Sequence, residues 1–203
     1  MSSDVKIGIN NLIKRDSKFA LLVNQLGLLK IENKNLTFES LLKIIINQQL
    51  SNKVADVIFL RLQNLFKSSK EITPDLILCS NIDEMRETGI SFAKISFMKN
   101  LAKVFQDNPN IIQNWVKLDD INAKMEIEKL NGFGPWSSNI ILLFYLGRQD
   151  IFPYGDTTLK KAYLNIYKEH LSKELKELDW ARPYRSILAL YFWKWVDNGM
   201  VEL

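Results

Sequence analysis

The chain has 203 residues, 47% apolar and 25% charged, with a net charge of +4 and a pI near 9.0. That length suits one domain, or two small ones sharing a core, and the mild basic bias is compatible with a polyanionic partner. The single cysteine excludes an internal disulfide and a four-cysteine iron–sulfur cluster, and no apolar run approaches the roughly eighteen residues of a membrane span.

Helical periodicity dominates from the first residues onward. Segment 1–35 reads as helical, with Leu12, Phe19, Leu22 and Leu26 as packing residues and Gly27 as the stop. Phe38, Leu41, Leu42 and Ile45 mark a helix capped by Thr37. Val54, Val57, Ile58 and Leu62 mark the next, with Ser51 as its N-cap. Thr73-Pro74 opens a third helix, with proline at its first position. Cys79, in the run Leu76-Ile77-Leu78-Cys79, is expected as a small core residue. Asn81 to Glu84 has capping-box spacing before a short helix that stops at Gly89. Further helices are expected from Ser91 to about Phe105, over 110–117, 119–130 and 135–146, then over 157–168 and 181–197. Eight glycines and five prolines also favour helix over a turn-rich β fold, and no strand alternation, repeat or low-complexity tract is present. The one histidine, His170, lies in a charged segment without a partner for a metal site and is expected at the surface.

The densest information lies between residues 127 and 163. A turn with Gly132 and Gly134 sits between two helical patterns, and a carboxylate, Asp156, follows twenty residues after Trp136. A paired-glycine turn that opens a helix presents unpaired N–H groups and a positive dipole end, which suit a phosphate. Taken singly, each feature has a plainer reading. Asp156 is placed to be a helix N-cap, the glycine turn to be an ordinary corner between helices, and the tryptophans to fill core.

Leu130 to Trp136 resembles the turn of a helix-hairpin-helix. Phe152-Pro153-Tyr154-Gly155-Asp156 resembles the Gly/Pro-rich loop that ends in a catalytic aspartate. With Gln48-Gln49-Leu50-Ser51 and Pro183-Tyr184-Arg185-Ser186 plus Trp193, four motifs stand in the order found in the helix-hairpin-helix DNA glycosylase superfamily. The branch they resemble is the alkylated-base one, 3-methyladenine DNA glycosylase II and its smaller relatives. The resemblance covers roughly residues 35–198. It implies an all-α fold of two helical subdomains flanking a DNA-binding cleft, in a compact form without an N-terminal β domain. Within a single domain of residues 1–203, one subdomain is expected to span about 36–150 with the hairpin, and residues 1–35 and 151–203 to pack as the other.

The same resemblance assigns roles. Asp156 stabilises positive charge on the deoxyribose, and it orients or deprotonates the attacking water. Trp136, Trp193 and Tyr154 line the pocket for a flipped, often cationic base; Ile140 stands where some relatives have an aromatic residue. Gly132, Phe133, Gly134 and Ser137 grip a backbone phosphate, and Lys160 neutralises another. Gln48, Gln49, Leu50 and Ser51 form the loop that fills the gap left by the flipped nucleotide, with Gln49 and Leu50 as the candidate wedge. Backbone carbonyls of Glu128, Leu130 and Phe133 are the expected ligands of a structural Na+ or K+ at the hairpin; no other cofactor is expected. Trp136 replaces the lysine that forms a Schiff base in bifunctional branches, so a monofunctional enzyme is implied. The expected partner is double-stranded DNA with damaged bases, acted on by a monomer in the cytoplasm of a prokaryote or the nucleus of a eukaryote. A non-catalytic DNA-binding module and an oxidised-base glycosylase/lyase remain the alternatives.

Overall fold

The computed structural model describes residues 3–30, 34–168 and 176–200, so His170 lies outside the described residues. Helices joined by turns and irregular segments make up the described residues, with no strand among them. The chain divides into two compact units. One is discontinuous, Met1–Lys34 with Asn139–Leu203, and the other is Asn35–Ser138. The division falls at residue 138, inside a helix, rather than near residue 150.

The chain begins with two helices, α1 (Ser3–Arg15) and α2 (Ser17–Leu26), where the sequence suggests one. Asp16 is the reason. Its backbone is extended (φ −144°, ψ 121°) and its carboxylate accepts the Phe19 N–H at 2.6 Å, so an N-cap restarts the helix. Ile9, Leu12, Phe19 and Leu22 are fully buried, and α2 stops at Gly27.

The continuous unit holds α3 (Phe38–Asn47), α4 (Asn52–Leu65), α5 (Pro74–Cys79), α6 (Ile82–Glu87), α7 (Phe92–Asp107), α8 (Ile111–Lys117) and α9 (Asp120–Glu128). Local sequence sets most of these starts. Thr37, Ser51, Thr73, Ser91 and Asp119 each accept an N–H from the first turn of their helix. Thr37 forms a full capping box with Ser40. Asn81 caps α6 through the Asp83 N–H at 2.7 Å, one position short of the box its spacing suggests. The core runs along α7, whose Ile95, Met98, Leu101 and Ala102 are buried, and α3, α5 and α6 pack around it. Phe105 meets Phe38 of α3 edge-on at 5.0 Å.

Two packing expectations fail here for geometric reasons. The helix with Val54 and Val57 forms, but both valines are 46% exposed; α4 buries Ala55 and Leu62, seven residues and therefore about two turns apart on one stripe. Cys79 is exposed. The six-residue α5 buries Ile77, and a residue two positions further on points about 200° around the helix.

The discontinuous unit is completed by the distal part of α10 (Pro135–Phe144), then α11 (Thr157–Tyr167), a 3-10 turn (Lys176–Ala181) and α12 (Arg185–Asp197). The expected helix over 181–197 thus begins with a 3-10 turn and a break at Pro183-Tyr184. α12 is the centre of this unit. It packs on α1, α2 and α11 and buries Ile187, Leu188, Ala189, Tyr191, Phe192 and Trp195, an almost all-round apolar surface. Tyr191 meets Phe19 edge-on at 5.0 Å. α1 comes so close that a Cβ on Gly8 would lie 2.4 Å from Ile187 and 2.9 Å from the Tyr184 ring. Among the described residues no helix is long and apolar enough to cross a membrane.

Candidate functional site

In the continuous unit the turn from α9 to α10 is held from within. The Phe133 N–H donates to the Leu130 carbonyl at 3.0 Å, and both side chains are buried. The Ser138 hydroxyl, fully buried, donates to the Glu128 carboxylate at 2.6 Å, tying the end of α9 to the first turn of α10. The two glycines do different jobs. Gly132 has φ +87°, and a Cβ there would sit 2.4 Å from the Phe97 ring of α7, so packing alone excludes a side chain. A Cβ on Gly134 would meet nothing within 4 Å. Only Gly134 is therefore bare on an open surface. Trp136, half-buried, follows it on the first turn of α10.

The Gln48–Ser51 loop is drawn onto this turn. The Gln48 amide donates to the Gly132 carbonyl at 2.8 Å and to the Ser137 hydroxyl at 3.0 Å. Ser137 is only 2% exposed, so its hydroxyl is committed to the loop rather than presented to solvent. From the other side the Lys94 ammonium donates to the carbonyls of Ile46 at 2.8 Å and Gln48 at 2.9 Å. Burial lowers the Lys94 pKa from its ordinary value. Between these anchors Gln49 is exposed with φ +60°, Leu50 is 37% exposed, and the exposed Ser51 caps α4.

In the discontinuous unit Asp156 is the N-cap of α11, and it is half-buried rather than walled off. Its Oδ1 accepts the Leu159 N–H at 3.0 Å and the Trp193 indole N–H at 3.3 Å. Trp193 reaches it from α12, with one face stacked on Phe144 at 5.5 Å between centroids and 27° between planes. The Lys34 ammonium lies 5.5 Å from the Phe144 ring centre. Lys160 is exposed on α11, and its N–H donates to the Asp156 carbonyl at 3.1 Å.

The approach to Asp156 is pinned by a pair that sequence reasoning missed. Arg185, 8% exposed, meets Asp150 in a two-pronged contact, Nε to Oδ1 at 2.6 Å and Nη2 to Oδ2 at 2.9 Å, and also donates to the Asp150 carbonyl and the Tyr154 hydroxyl. Burial opposes the Arg185 charge, but the bonds to Asp150 and Tyr154 outweigh it, so the pKa is raised. Desolvation raises the Tyr154 pKa against the opposing pull of Arg185. Ser186 adds a staple, donating to the Arg148 carbonyl at 2.6 Å and accepting the Ile151 N–H at 3.0 Å. An Asp at the start of the Gly/Pro loop and an Arg opening the last helix were visible as residues. Their separation of 35 positions hid the pairing.

Of the anticipated residues, the fold brings Gln48 to Gly132 and Ser137, and Trp193 to Asp156, and it engages Tyr154 with Arg185. Among the described residues no group of three or more His, Cys, Asp or Glu side chains could hold a metal ion.

Residues 42–181 match the family described as HhH-GPD superfamily base excision DNA repair protein. The chain is 28% identical over 166 residues to DNA-3-methyladenine glycosylase 1 of Schizosaccharomyces pombe, covering 77% of this chain and 71% of that protein. It is 25% identical over 200 residues to the alkylbase DNA glycosidase-like protein mag2 of the same yeast, covering 95% and 94%. The fold superposes on the S. pombe 3-methyladenine DNA glycosylase solved in complex with abasic DNA, with a TM-score of 0.85 at 23% identity over 99% of this chain and 100% of the other. At that identity the superposition establishes the fold.

Proposed function

Because this chain belongs to the HhH-GPD superfamily of base excision DNA repair proteins, we propose that it is a monofunctional DNA glycosylase that excises alkylated purines of the 3-methyladenine and 7-methylguanine type. The observation that carries the proposal is the half-buried Asp156 carboxylate, anchored through one oxygen by the Leu159 N–H and the Trp193 indole. A carboxylate fixed in this way needs no reorganisation when charge develops beside it.

The reaction breaks the bond between C1′ and the base nitrogen, and the bonding pair leaves with the base. The deoxyribose takes on oxocarbenium character, which the Asp156 anion stabilises. Water then adds to C1′, and its surplus proton passes to Asp156 or the departing base. An alkylated purine leaves as a neutral base because it already carries positive charge, so little acid assistance is needed. Trp136 offers a half-buried indole to a cationic base, an attraction of about 0.5–2 kcal/mol. Trp193 contributes its ring edge to Asp156, while one of its faces is stacked on Phe144. No amine stands at position 136, which supports hydrolysis to an abasic site without strand cleavage. The open Gly134 and the main-chain N–H groups behind it serve as the phosphate grip, with Lys160 screening a second phosphate. A structural Na+ or K+ at the turn would be held by the carbonyls of Glu128, Leu130 and Phe133. The Leu130 oxygen already accepts one N–H and keeps a second lone pair, which is compatible with such a contact. The protein would act in the compartment that holds the genome.

The test is release of free bases from methylated duplex DNA, separated by chromatography, with wild type beside Asp156→Asn. The wild type is expected to release 3-methyladenine and 7-methylguanine, to leave the strand intact until alkali is added, and to give no borohydride-trapped adduct. Asparagine can still cap α11, so the variant should keep its fold and its DNA affinity while base release slows about 100- to 1,000-fold. Release by the variant at the wild-type rate would remove Asp156 from the chemistry.

A further inference from the structure

We propose that Gln48 does not contact DNA but is a positioning residue that locks the strand-separating loop to the phosphate-gripping turn, so that insertion and grip act as one rigid part. The inference rests on the proposed function for the identity of those two parts, and goes beyond it in what joins them.

Three observations within the continuous unit carry it. First, both hydrogens of the Gln48 amide are used inward, on the Gly132 carbonyl and the Ser137 hydroxyl, and the Ser137 hydroxyl is itself buried. A primary amide has two N–H donors, so this group has none left for a phosphate or a base edge. Second, the main chain of the same residue is fixed from the opposite side, its carbonyl accepting from the Lys94 ammonium, which also closes the end of α3 through the Ile46 carbonyl. Third, the residue that follows sits in the left-handed region, φ +60°, although it is not glycine. Such a backbone persists only where the surroundings over-determine it, and Gln48 and Lys94 supply that constraint. The outcome is that Gln49 and Leu50 are held outward in one conformation at a fixed place relative to Gly134.

A loose wedge would still reach DNA, but it would lose the ordering entropy that the clamp has already removed. The defect should therefore appear only where a gap in a stacked duplex must be filled. The variants are Gln48→Met, which keeps side-chain length and deletes the donors, and Lys94→Met, which releases the loop from the other side should the first fail to fold. Single-turnover base release is measured on one alkylated purine in two settings: fully paired in a duplex, and in single-stranded DNA. The expected result is a loss of at least tenfold on the paired substrate and less than threefold on the single strand. Equal losses on both would mean a general structural role, and no loss on either would mean no role; both overturn the proposal. A second readout is independent of catalysis: the fluorescence of 2-aminopurine next to an abasic-site analogue in duplex DNA. Wild type should brighten it on binding, and Gln48→Met should lose most of that increase at saturating protein. If the wild type releases no base yet brightens the probe and the variant does not, the glycosylase reading falls and the clamp stands. If the variant brightens the probe as the wild type does, the clamp falls.

Discussion

The two units hold their functional groups with different materials. In residues 35–138 the polar contacts are mostly short-range: side-chain N-caps open six of the helices, and the glycine turn is closed by main-chain bonds. In the discontinuous unit they span the sequence. Asp150 pairs with Arg185, Tyr167 donates to Asp16, and Tyr191 donates to the Gly27 carbonyl. All six tyrosines of the chain lie in this unit, as does Arg185, the only buried charged residue among the described residues. A unit that offers main-chain N–H groups can be built from caps and turns. Under the proposed function the other unit must aim one carboxylate, which calls for rigid, crosslinked side chains, and aromatic rings with polar tips supply them.

The contrast can be broken most severely at Arg185. Arg185→Met leaves the Asp150 carboxylate, 22% exposed, with only the peripheral Arg182 contact. A loss of about 3 kcal/mol is expected, read by denaturant unfolding through tyrosine signals that report this unit alone. A change below about 1 kcal/mol would show that the pair is not what pins the loop.

A smaller effect is expected from Gly132→Ala, about 2 kcal/mol, since the methyl meets the Phe97 ring in a backbone that disfavours it. Combining it with Phe97→Ala should recover part of the loss. Failure to recover any would attribute the whole cost to φ rather than to packing.

Alkaline pH should sharpen the comparison further. Burial raises the pKa of Tyr145, Tyr154, Tyr167 and Tyr191 above the ordinary value of 10.0. A phenol whose folded pKa exceeds its unfolded one stabilises the fold fully below the unfolded value, and that contribution is lost as pH rises through the folded value. Stability measured by denaturant titration should therefore fall as pH rises beyond about 10. Tyrosinate absorbance in the folded protein should lag that of free tyrosine. Titration of these four tyrosines at the free value would refute the buried assignment.

The smallest change in stability belongs to Gly134→Ala, within about 0.5 kcal/mol, because the new methyl enters open space. Affinity for abasic duplex DNA should nonetheless fall several-fold. Undiminished affinity would mean that no phosphate approaches that surface.

What could be read in the sequence tracks the same division. Thr37 and Ser51 were legible as caps, and Thr73 and Ser91 as helix starts, because a cap and the N–H it accepts lie only three residues apart. Gly132 was legible as a turn, but not as the residue that admits Phe97, and Ser137 not as a hydroxyl buried under Gln48. The restart at Asp16 was misread as a continuous helix, although an Asp ahead of Ser-Lys-Phe is itself a capping signal.

By itself, then, the amino-acid order determined an all-helical chain, most of the places where its helices begin, and a glycine turn followed by an aspartate, because each depends on neighbours within one turn of backbone. Only the tertiary structure decided that Arg185 would pin the loop before Asp156, that Trp193 would reach that carboxylate, and that Gln48 would join two segments 84 residues apart. Such contacts depend on which surfaces meet after the helices pack, and local spacing carries no record of that.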